Sequence, residues 1–348
     1  MKNYSLLCLL IAAFTIMASS GCSQKQATVS DPAGSSKKAA DPDEETGDSK
    51  AAGKTRKFNF NYGATINEVP DGAQVRVWFP LAQTNAQQTV NQTATNTPGE
   101  LKTDKDKKYG NSIGYFEVES DGETPINFGL TYDVQRIEAS VEDAADGLSK
   151  TEKSNFLSAN SLVPIDGKPQ KHFQDLELPV ETMAAGEEIY NLVEQHMKYD
   201  KSQKGYGNGD AAWACDSKTG NCTDFHSLFI SLARSNSIPA RFEIGFPLPA
   251  DKTEGKIGGY HCWAWFFADG KGWAPVDISE ADKHPELKDY YFGKLTVDRV
   301  AFSTGRDIEL VPKSASESLN YFVYPHVEVD GKVWPKDKIS LEFSFKNQ

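Results

Sequence analysis

One stretch decides the fold, Gly220-Asn221-Cys222-Thr223-Asp224-Phe225-His226-Ser227-Leu228-Phe229-Ile230-Ser231-Leu232. Apolar residues recur in it at helical spacing from Phe225 to Leu232, which predicts a helix with one inward face. Cys222 lies where that helix begins. Unpaired N–H groups and the helix dipole favour an anion there, so the pKa of a thiol at this position is expected to fall. A small buried thiol beside a turn is the plainer alternative, because free cysteine is among the most buried residue types.

The first 21 residues have the features of an export signal. Lys2 is followed by an apolar run from Leu6 to Ala18 and then by small residues. Because Cys22 comes next and precedes a polar tract, the segment resembles a bacterial lipoprotein signal, in which the cysteine is acylated. Ser19 stands where such signals usually carry Leu, so cleavage and secretion without a lipid remain the alternative. Both predict an exported protein of the cell envelope, the periplasm or the medium.

The net charge restricts the partners. The chain has a formal charge of −12, and removal of residues 1–21 takes away only Lys2 and leaves −13. A strongly acidic protein repels nucleic acid and anionic lipid head groups. We therefore expect no nucleic-acid partner, and any membrane attachment should depend on a lipid at Cys22.

The cysteine count indicates at least one free thiol. Two of the five cysteines lie in the export signal and at its end, and Cys215, Cys222 and Cys262 remain. An odd number cannot pair completely. If two of them form a disulfide, Cys215 with Cys262 is the pair that leaves Cys222 free.

Changes in composition and in the spacing of apolar residues divide the chain into predicted segments. A polar tract without aromatic residues predicts a flexible tether, and the alternating pattern that follows predicts a β-sandwich, with an exposed connection at Gln83 to Asn96. A helical pattern from Glu181 to Met197 opens the second domain, and the glycine-rich loop Lys204 to Asp210 is expected to border its site. The last strands could join either domain. The predicted ranges are 1–21 (export signal), 22–57 (tether), 58–175 (β-sandwich), 176–300 (second domain) and 301–348 (C-terminal strands).

A predicted hairpin, from Tyr260 to Asp277, places a histidine near a carboxylate. Side chains alternate along a strand, so His261 and Asp277 share one face while Cys262 lies on the other. A loop centred on Asp269 puts His261 directly opposite Asp277, with their Cβ atoms about 5 Å apart. A carboxylate at that distance can orient an imidazole and stabilise its charged form. A two-residue turn would instead place Asp277 opposite Cys262.

The order Cys222, His261, Asp277 matches nucleophile, base and orienting acid. The segments around them resemble the signature segments of bacterial transglutaminase-like domain proteins, which share a papain-like core; they are Gly220–Cys222, Ser237–Arg241, Tyr260–Ala264 and Gly272–Asp277. The resemblance covers about residues 180 to 282.

The resemblance implies an α+β fold, in which an N-terminal β-sandwich precedes a transglutaminase-like core with a central helix packed on an antiparallel sheet. It implies that Cys222 is the nucleophile, His261 the general base and acid, and Asp277 the orienting carboxylate. The oxyanion donors would be the Cys222 backbone N–H and a second group upstream, for which the indole N–H of Trp213 is a candidate. No cofactor is implied, and no acidic run has the spacing of a calcium loop.

A rival base and a metal site are the chemical alternatives. His226 lies one helical turn after Cys222, on the same face, but no separate acid is in view to orient it, so we expect a supporting or binding role. Cys215, Cys222, His226, His261 and Cys262 are all possible zinc ligands. Adjacent residues 261 and 262 point in opposite directions, which disfavours one shared site. We therefore assign no metal to these residues.

The favoured function is that of an exported cysteine enzyme that attacks amide bonds of peptides or proteins. Water as acceptor would make it a peptidase or amidase, and an amine would make it a transglutaminase-like acyltransferase. A non-catalytic envelope module that binds peptides in the same groove remains the alternative.

Overall fold

The computed structural model describes residues 53–141 and 147–348. The export signal, Cys22 and the tether as far as residue 52 lie outside these residues. Strand β1 begins at Thr55, so residues 55–57 of the predicted tether belong to the fold instead. Phe58 and Phe60 lie inward on that strand and hold it in place.

Sixteen strands and seven α-helices form within the described residues. The strands are β1 (Thr55–Ile66), β2 (Gln74–Pro80), β3 (Gln88–Asn96), β4 (Lys102–Lys105), β5 (Ser112–Glu119), β6 (Ile126–Ile137), β7 (Lys198–Tyr199), β8 (Thr219–Gly220), β9 (Ala240–Pro247), β10 (Glu254–Lys256), β11 (His261–Ala268), β12 (Gly272–Val276), β13 (Arg299–Thr304), β14 (His326–Val329), β15 (Lys332–Val333) and β16 (Ile339–Asn347). The helices are α1 (Lys150–Leu157), α2 (Lys168–His172), α3 (Thr182–His196), α4 (Ala211–Ser217), α5 (Cys222–Ser235), α6 (Ile278–Lys283) and α7 (Lys288–Tyr291).

Two five-stranded sheets form the β-sandwich. One has the strand order β10-β16-β1-β6-β3 and the other β15-β14-β2-β5-β4. Alternate residues of β1 point inward, and Phe58, Phe60 and Tyr62 are fully buried there. Phe79 from the second sheet stacks on Phe128 from the first, with ring centroids 4.7 Å apart. Each such side chain contributes about 1.5–3 kcal/mol through burial, so the period-two pattern determines which sheet faces meet.

The C-terminal strands return to the sandwich. β14 pairs with β2, and β16 pairs with β1 from Phe58↔Asn347 to Ile66↔Ile339. The sequence left this choice open. The second domain therefore lies between β6 and β14 in the chain, and strands from both ends of the described chain close the sandwich around that insertion.

The segment Gln83 to Asn96 was predicted as an exposed connection, and that prediction is wrong for its second part. Residues 88–96 form β3, which pairs with β6 at the end of the first sheet. Most of β3 is exposed. An edge strand with so much exposure needs no apolar face, so its polar side chains show no alternation that could reveal it.

The second domain is built on the four-stranded antiparallel sheet β12-β11-β9-β13. Helix α5 packs on one face of it, where Phe229 meets Phe266 with ring centroids 5.9 Å apart. Trp263, Trp265 and Phe267 lie on the opposite face in a separate apolar cluster. The predicted α+β architecture, with a central helix on an antiparallel sheet, is confirmed.

Helix α5 is buried on every side, from Cys222 to Arg234, so the prediction of one inward face is wrong. Its polar residues are covered by partners from distant segments. Arg306 donates from Nη1 to Ser227 Oγ at 2.6 Å, and Arg234 donates to the Ala240 carbonyl and to Asn160 Oδ1. Buried polar groups of this kind are tolerated because they are hydrogen-bonded.

Helices α1 and α2 lie within the range assigned from the sequence to the sandwich, and α2 packs against α4 and α5. Within residues 53–141 and 147–348 no helix is both long enough and apolar enough to cross a membrane.

Candidate active site

Cys222 is the first residue of α5, and a capping box sets its position. The Asn221 side chain accepts from the Thr223 N–H at 2.9 Å, and the Asp224 carboxylate accepts from the Asn221 N–H at 2.9 Å. Gly220 precedes them with φ +155°, where a Cβ would lie 2.5 Å from the Asp224 carboxylate. Glycine is therefore required at that turn, and Cys222 is held at the helix N-terminus.

His261 and Asp277 form a buried hydrogen-bonded pair. His261 Nε2 lies 2.7 Å from Asp277 Oδ2, and both side chains are shielded from solvent. Asp277 follows the last residue of β12 and caps α6, because its Oδ1 accepts from the Glu280 N–H at 3.2 Å. The Arg299 guanidinium lies 3.0 Å from Asp277 Oδ2. Three different elements therefore hold this carboxylate.

The predicted register of the hairpin is wrong. β11 and β12 pair from Ala268↔Gly272 to Ala264↔Val276, so the hairpin is centred on Gly270 and not on Asp269. If the pairing continued for one more residue, Asp277 would lie opposite Trp263 and diagonally across from His261. The loop still has odd length, so His261 and Asp277 share a face as predicted. Their contact depends on Asp277 leaving the strand to cap α6.

His226 is a buried residue that contacts the backbone and side chains around the site. It is fully buried, and its Nε2 accepts from the Ile278 N–H at 3.1 Å. The proton is therefore on Nδ1, which lies 3.7 Å from Cys262 Sγ. Burial lowers the pKa of His226 to about 4, so the ring is neutral at pH 7. A ring whose acceptor nitrogen already binds a backbone amide is poorly placed to take a proton from Cys222.

All three cysteines of the described residues are free, so the hypothetical pairing of Cys215 with Cys262 is wrong. Cys262 lies on the α5 side of β11, with its Sγ 3.8 Å from Thr223 Oγ1. Its interaction with Cys222 lowers the pKa of the Cys222 thiol. Cys215 lies on α4, near His172 and His196. The five possible zinc ligands named from the sequence are thus not one cluster, because Cys215 groups with other histidines.

Trp213 lies on α4, half-buried. A Cβ built on Gly205 would lie 2.8 Å from its indole nitrogen, so the ring packs against the glycine-rich loop. The second oxyanion donor remains a prediction. That loop does border the site, since Gly207 and Asn208 line the cleft at Cys222.

The cleft at Cys222 has a volume of about 510 Å³ and aromatic walls. Five tyrosines line it, namely Tyr199, Tyr206, Tyr260, Tyr321 and Tyr324. Tyr260 Oη hydrogen-bonds Thr223 Oγ1 at 2.9 Å and so ties the cleft to the start of α5. Sequence reasoning missed Arg299 and three of the tyrosines, because none lies at a motif spacing from the cysteine; these tyrosines are Tyr199, Tyr321 and Tyr324. Tyr206 belongs to the glycine-rich loop that is expected to border the site, and Tyr260 directly precedes His261.

Residues 176–278 match the sequence profile of the transglutaminase-like superfamily. The chain contains a transglutaminase-like domain. An uncharacterized protein of Haemophilus influenzae is 33% identical in a 210-residue alignment that covers 51% of this chain and 57% of that relative. The chain thus spans little more than half of the relative's length.

One solved structure shares the fold. A candidate cysteine protease from Cytophaga hutchinsonii superposes with a TM-score of 0.53 and 17% identity, over 85% of this chain and 98% of that one. The periplasmic domain of TgpA from Pseudomonas aeruginosa has a TM-score of 0.35 and 13% identity, over 68% of this chain and 91% of that one. The first likeness establishes a common fold, and the second supports no inference.

In the transglutaminase-like domain, burial disfavours the charged forms of Cys222, His261 and Asp277. Interactions with their neighbours outweigh this effect of burial. Burial raises the pKa of Cys222, yet hydrogen bonds from Cys262 and His261 lower it well below its usual value. Burial lowers the pKa of His261, yet Asp277 and Cys222 raise it to about 10. Burial raises the pKa of Asp277, yet His261 and Arg299 lower it well below its usual value. These shifts favour a thiolate at Cys222, an imidazolium at His261 and a carboxylate at Asp277 in the transglutaminase-like domain.

The charged groups around Asp277 disfavour a metal ion in the transglutaminase-like domain. Ligand atoms of His261, Asp277 and Glu280 lie within 4.8 Å of one another. The guanidinium of Arg299 already contacts Asp277 from the same buried region and would repel a cation. This group is better suited to an ion-paired imidazolium than to a metal ion.

Proposed function

We propose that the chain is an exported cysteine acyl-transfer enzyme that attacks amide bonds of peptides or proteins. The observation that carries the proposal is the 2.7 Å pair of His261 and Asp277, together with Cys222 at the N-terminus of α5. Interactions with Cys262 and His261 lower the pKa of this thiol. This arrangement supplies a nucleophile, a proton carrier and an orienting acid.

The proposed reaction steps depend on which ring nitrogen of His261 is not already hydrogen-bonded to Asp277. Asp277 accepts from His261 Nε2–H, so Nδ1 is the nitrogen left to exchange a proton with Cys222. The thiolate attacks the amide carbon, and the imidazolium gives its proton to the departing amine. A thioester forms at Cys222, and water or a second amine then releases the acyl group. The Cys222 backbone N–H, in the first turn of α5, has no partner within the helix and can bind the developing oxyanion.

The cleft favours a polypeptide substrate. Its walls are tyrosines with glycine backbone at Gly258 and Gly259, and apart from Cys222 itself Lys201 is the one charged residue that lines it among the described residues. Aromatic rings offer large rigid contact area, and glycine backbone lets a peptide approach closely. An extended segment of peptide or protein fits these surfaces better than a highly charged small molecule does.

The proposed location is the cell envelope. The apolar run at residues 6–18 and the following cysteine support export with lipid attachment at Cys22, and the formal charge of −12 argues against a nucleic-acid partner. Attachment through one lipid would leave the enzyme at a membrane surface, where envelope peptides and proteins are its available substrates.

The test is a search for acyl transfer with the full chain. The wild type and Cys222→Ala are incubated with peptide libraries, with and without an added primary amine, and products are identified by mass spectrometry. We expect cleaved or amine-linked peptides that depend on Cys222, while Leu341→Ala, at an exposed position outside the cleft, retains at least half of the activity. Products that persist in Cys222→Ala would contradict the proposal. Peptide binding without any product would favour the non-catalytic module.

A further inference from the structure

A second group of chemistry-bearing side chains lies where three helices meet. His172 is the last residue of α2, His196 is the last residue of α3, and Cys215 lies on α4. One ring nitrogen of each histidine and the Cys215 sulfur all lie within 4.8 Å of one another. None of the three lines the cleft at Cys222. Two imidazoles and a thiol are the donors that borderline-soft metal ions prefer.

The imidazole of His196 is oriented by the backbone. Its Nε2 lies 2.8 Å from the Cys215 carbonyl oxygen, which can only accept a hydrogen bond. The proton is therefore on Nε2 and the lone pair is on Nδ1. Histidines that bind metal ions commonly donate their other ring N–H to a carbonyl in this way, because the bond sets the tautomer and the ring plane.

Aromatic packing holds the rings together. Phe173 packs edge-to-face on both histidines, with ring centroids 4.6 Å from His172 and 5.0 Å from His196. The two histidine rings lie 5.1 Å apart. Cys215 is buried whereas His172 is exposed, so the group has one inner ligand and one side open to solvent.

We propose that His172, His196 and Cys215 bind a zinc ion, with the fourth coordination position open to water. Zinc bonds of about 2.0–2.1 Å to nitrogen and 2.3 Å to sulfur place ligand atoms roughly 3.5 Å apart in a tetrahedron. The three ligand atoms already lie within 4.8 Å of one another, so small side-chain rotations bring them to this spacing. On binding, the Cys215 thiol loses its proton to solvent, one Zn–S bond and two Zn–N bonds form, and no electron is transferred.

Such an ion would fasten α2 to α3 and α4. Cys215 precedes Cys222 by seven residues, and the turn between them leads into α5. Zinc would thereby stabilise the helical layer that leads to the proposed nucleophile without contributing to the chemistry there. The inference does not depend on the proposed function, since it rests on different residues.

The test uses the full chain carrying Cys222→Ala, so that the proposed nucleophile cannot bind the metal. The protein is titrated with Zn²⁺ against a chromophoric chelator, and with Co²⁺ as a spectroscopic probe. We expect one equivalent of Zn²⁺ and a thiolate-to-cobalt charge-transfer band. Adding Cys215→Ser should abolish that band and weaken Zn²⁺ binding at least 100-fold, and adding His172→Ala should weaken it at least tenfold.

His284→Ala is the matched control, because His284 is a half-exposed histidine outside the group, and it should leave binding unchanged. His172 is exposed, so its substitution should not unfold the chain and keeps the test valid if Cys215→Ser folds poorly. Less than a tenth of an equivalent of zinc, or affinity that His172→Ala leaves unchanged, would overturn the proposal and leave the group as an aromatic packing cluster.

Discussion

At the scale of single residues, Asp277 carries the most interactions of the site. Its Oδ2 pairs with His261 at 2.7 Å and with Arg299 at 3.0 Å, and its Oδ1 caps α6. Because its cationic partners hold the pKa of Asp277 well below its usual value, the carboxylate stays ionised far into acid. It can therefore orient His261 and stabilise the imidazolium over a wide pH range.

The reactivity of Cys222 should reflect its lowered pKa. We expect iodoacetamide to alkylate Cys222 rapidly well below pH 8.5, with the rate falling only as pH drops through the lowered pKa of the thiol. His261→Gln removes an ion-pair partner, so the apparent pKa should rise towards about 8.5. The measurement is the alkylation rate against pH, located by peptide mapping.

His226→Gln is the matched control for that experiment. Glutamine can still accept from the Ile278 N–H, so the alkylation profile should stay close to that of the wild type. If His226→Gln abolishes the low-pH reactivity and His261→Gln does not, the two histidines have been assigned in the wrong order.

Burial of neutral His226 should make stability depend on pH. Its pKa is about 4 in the folded chain, against about 6.5 when unfolded, so the unfolded chain binds the extra proton between these values. The contribution of neutral His226 to the free energy of unfolding is therefore fully present above pH 6.5. It falls by on the order of 3 kcal/mol as the pH drops to 4. Urea unfolding at pH 7 and pH 4.5 should show a smaller loss for His226→Gln than for the wild type. Parallel losses would contradict the assignment.

At the scale of elements, the start of α5 and the glycine-rich loop are joined by one side chain. The buried Asp224 carboxylate accepts backbone N–H groups from Asn221, Gly207 and Gly209 at 2.7–2.9 Å. Gly207 also lines the cleft. The same residue therefore caps the helix that carries Cys222 and positions one wall of the proposed substrate site.

Asp224→Asn should loosen that connection. One carboxylate oxygen becomes an NH₂ group that cannot accept, which leaves at least one buried N–H unpaired at a cost of about 1–3 kcal/mol. We expect faster hydrogen exchange at Gly207 or Gly209 and lower urea stability. Asp200→Asn is the control, because Asp200 accepts from Ser202 on the surface, and its effect should stay within about 0.5 kcal/mol. Unchanged exchange at both glycines would count against the role of Asp224.

At the scale of the whole molecule, the sandwich and the transglutaminase-like domain share one apolar core. Phe343 of β16 packs on Phe246 of β9, with ring centroids 4.3 Å apart, and Phe246 also packs on Phe60 and Phe302. The buried cluster runs without interruption through both parts. Residues Ala51–Gln348 accordingly form a single unit.

We therefore expect that unit to unfold cooperatively. Phe343→Ala should cost about 3–5 kcal/mol and shift the transition of both parts together, because it leaves a cavity between them. The measurement is urea unfolding followed by tryptophan fluorescence and by far-ultraviolet circular dichroism. Leu341→Ala, at a 40% exposed position of the same strand, should change stability little. Two separate transitions, with only one moved by Phe343→Ala, would contradict a shared core.

Local spacing made much of this molecule predictable. The glycine and the apolar pattern at 220–232 determined where α5 begins, and strand alternation determined that His261 and Asp277 share a face while Cys262 does not. These properties depend on neighbours two to four residues away, which the sequence displays directly. For the same reason β3 was missed, since an exposed polar edge strand has no such pattern.

Only the tertiary structure decided which distant groups meet. It centred the hairpin on Gly270, brought Arg299 to Asp277 and returned β16 to β1. It also packed α2, α3 and α4 against α5, which is buried on all sides. Such contacts depend on loop lengths and on how whole faces pack, and no residue spacing encodes them. By itself the sequence determined that Cys222 begins a helix. The tertiary structure decided that the site of this thiol contains an imidazole whose charge Asp277 stabilises.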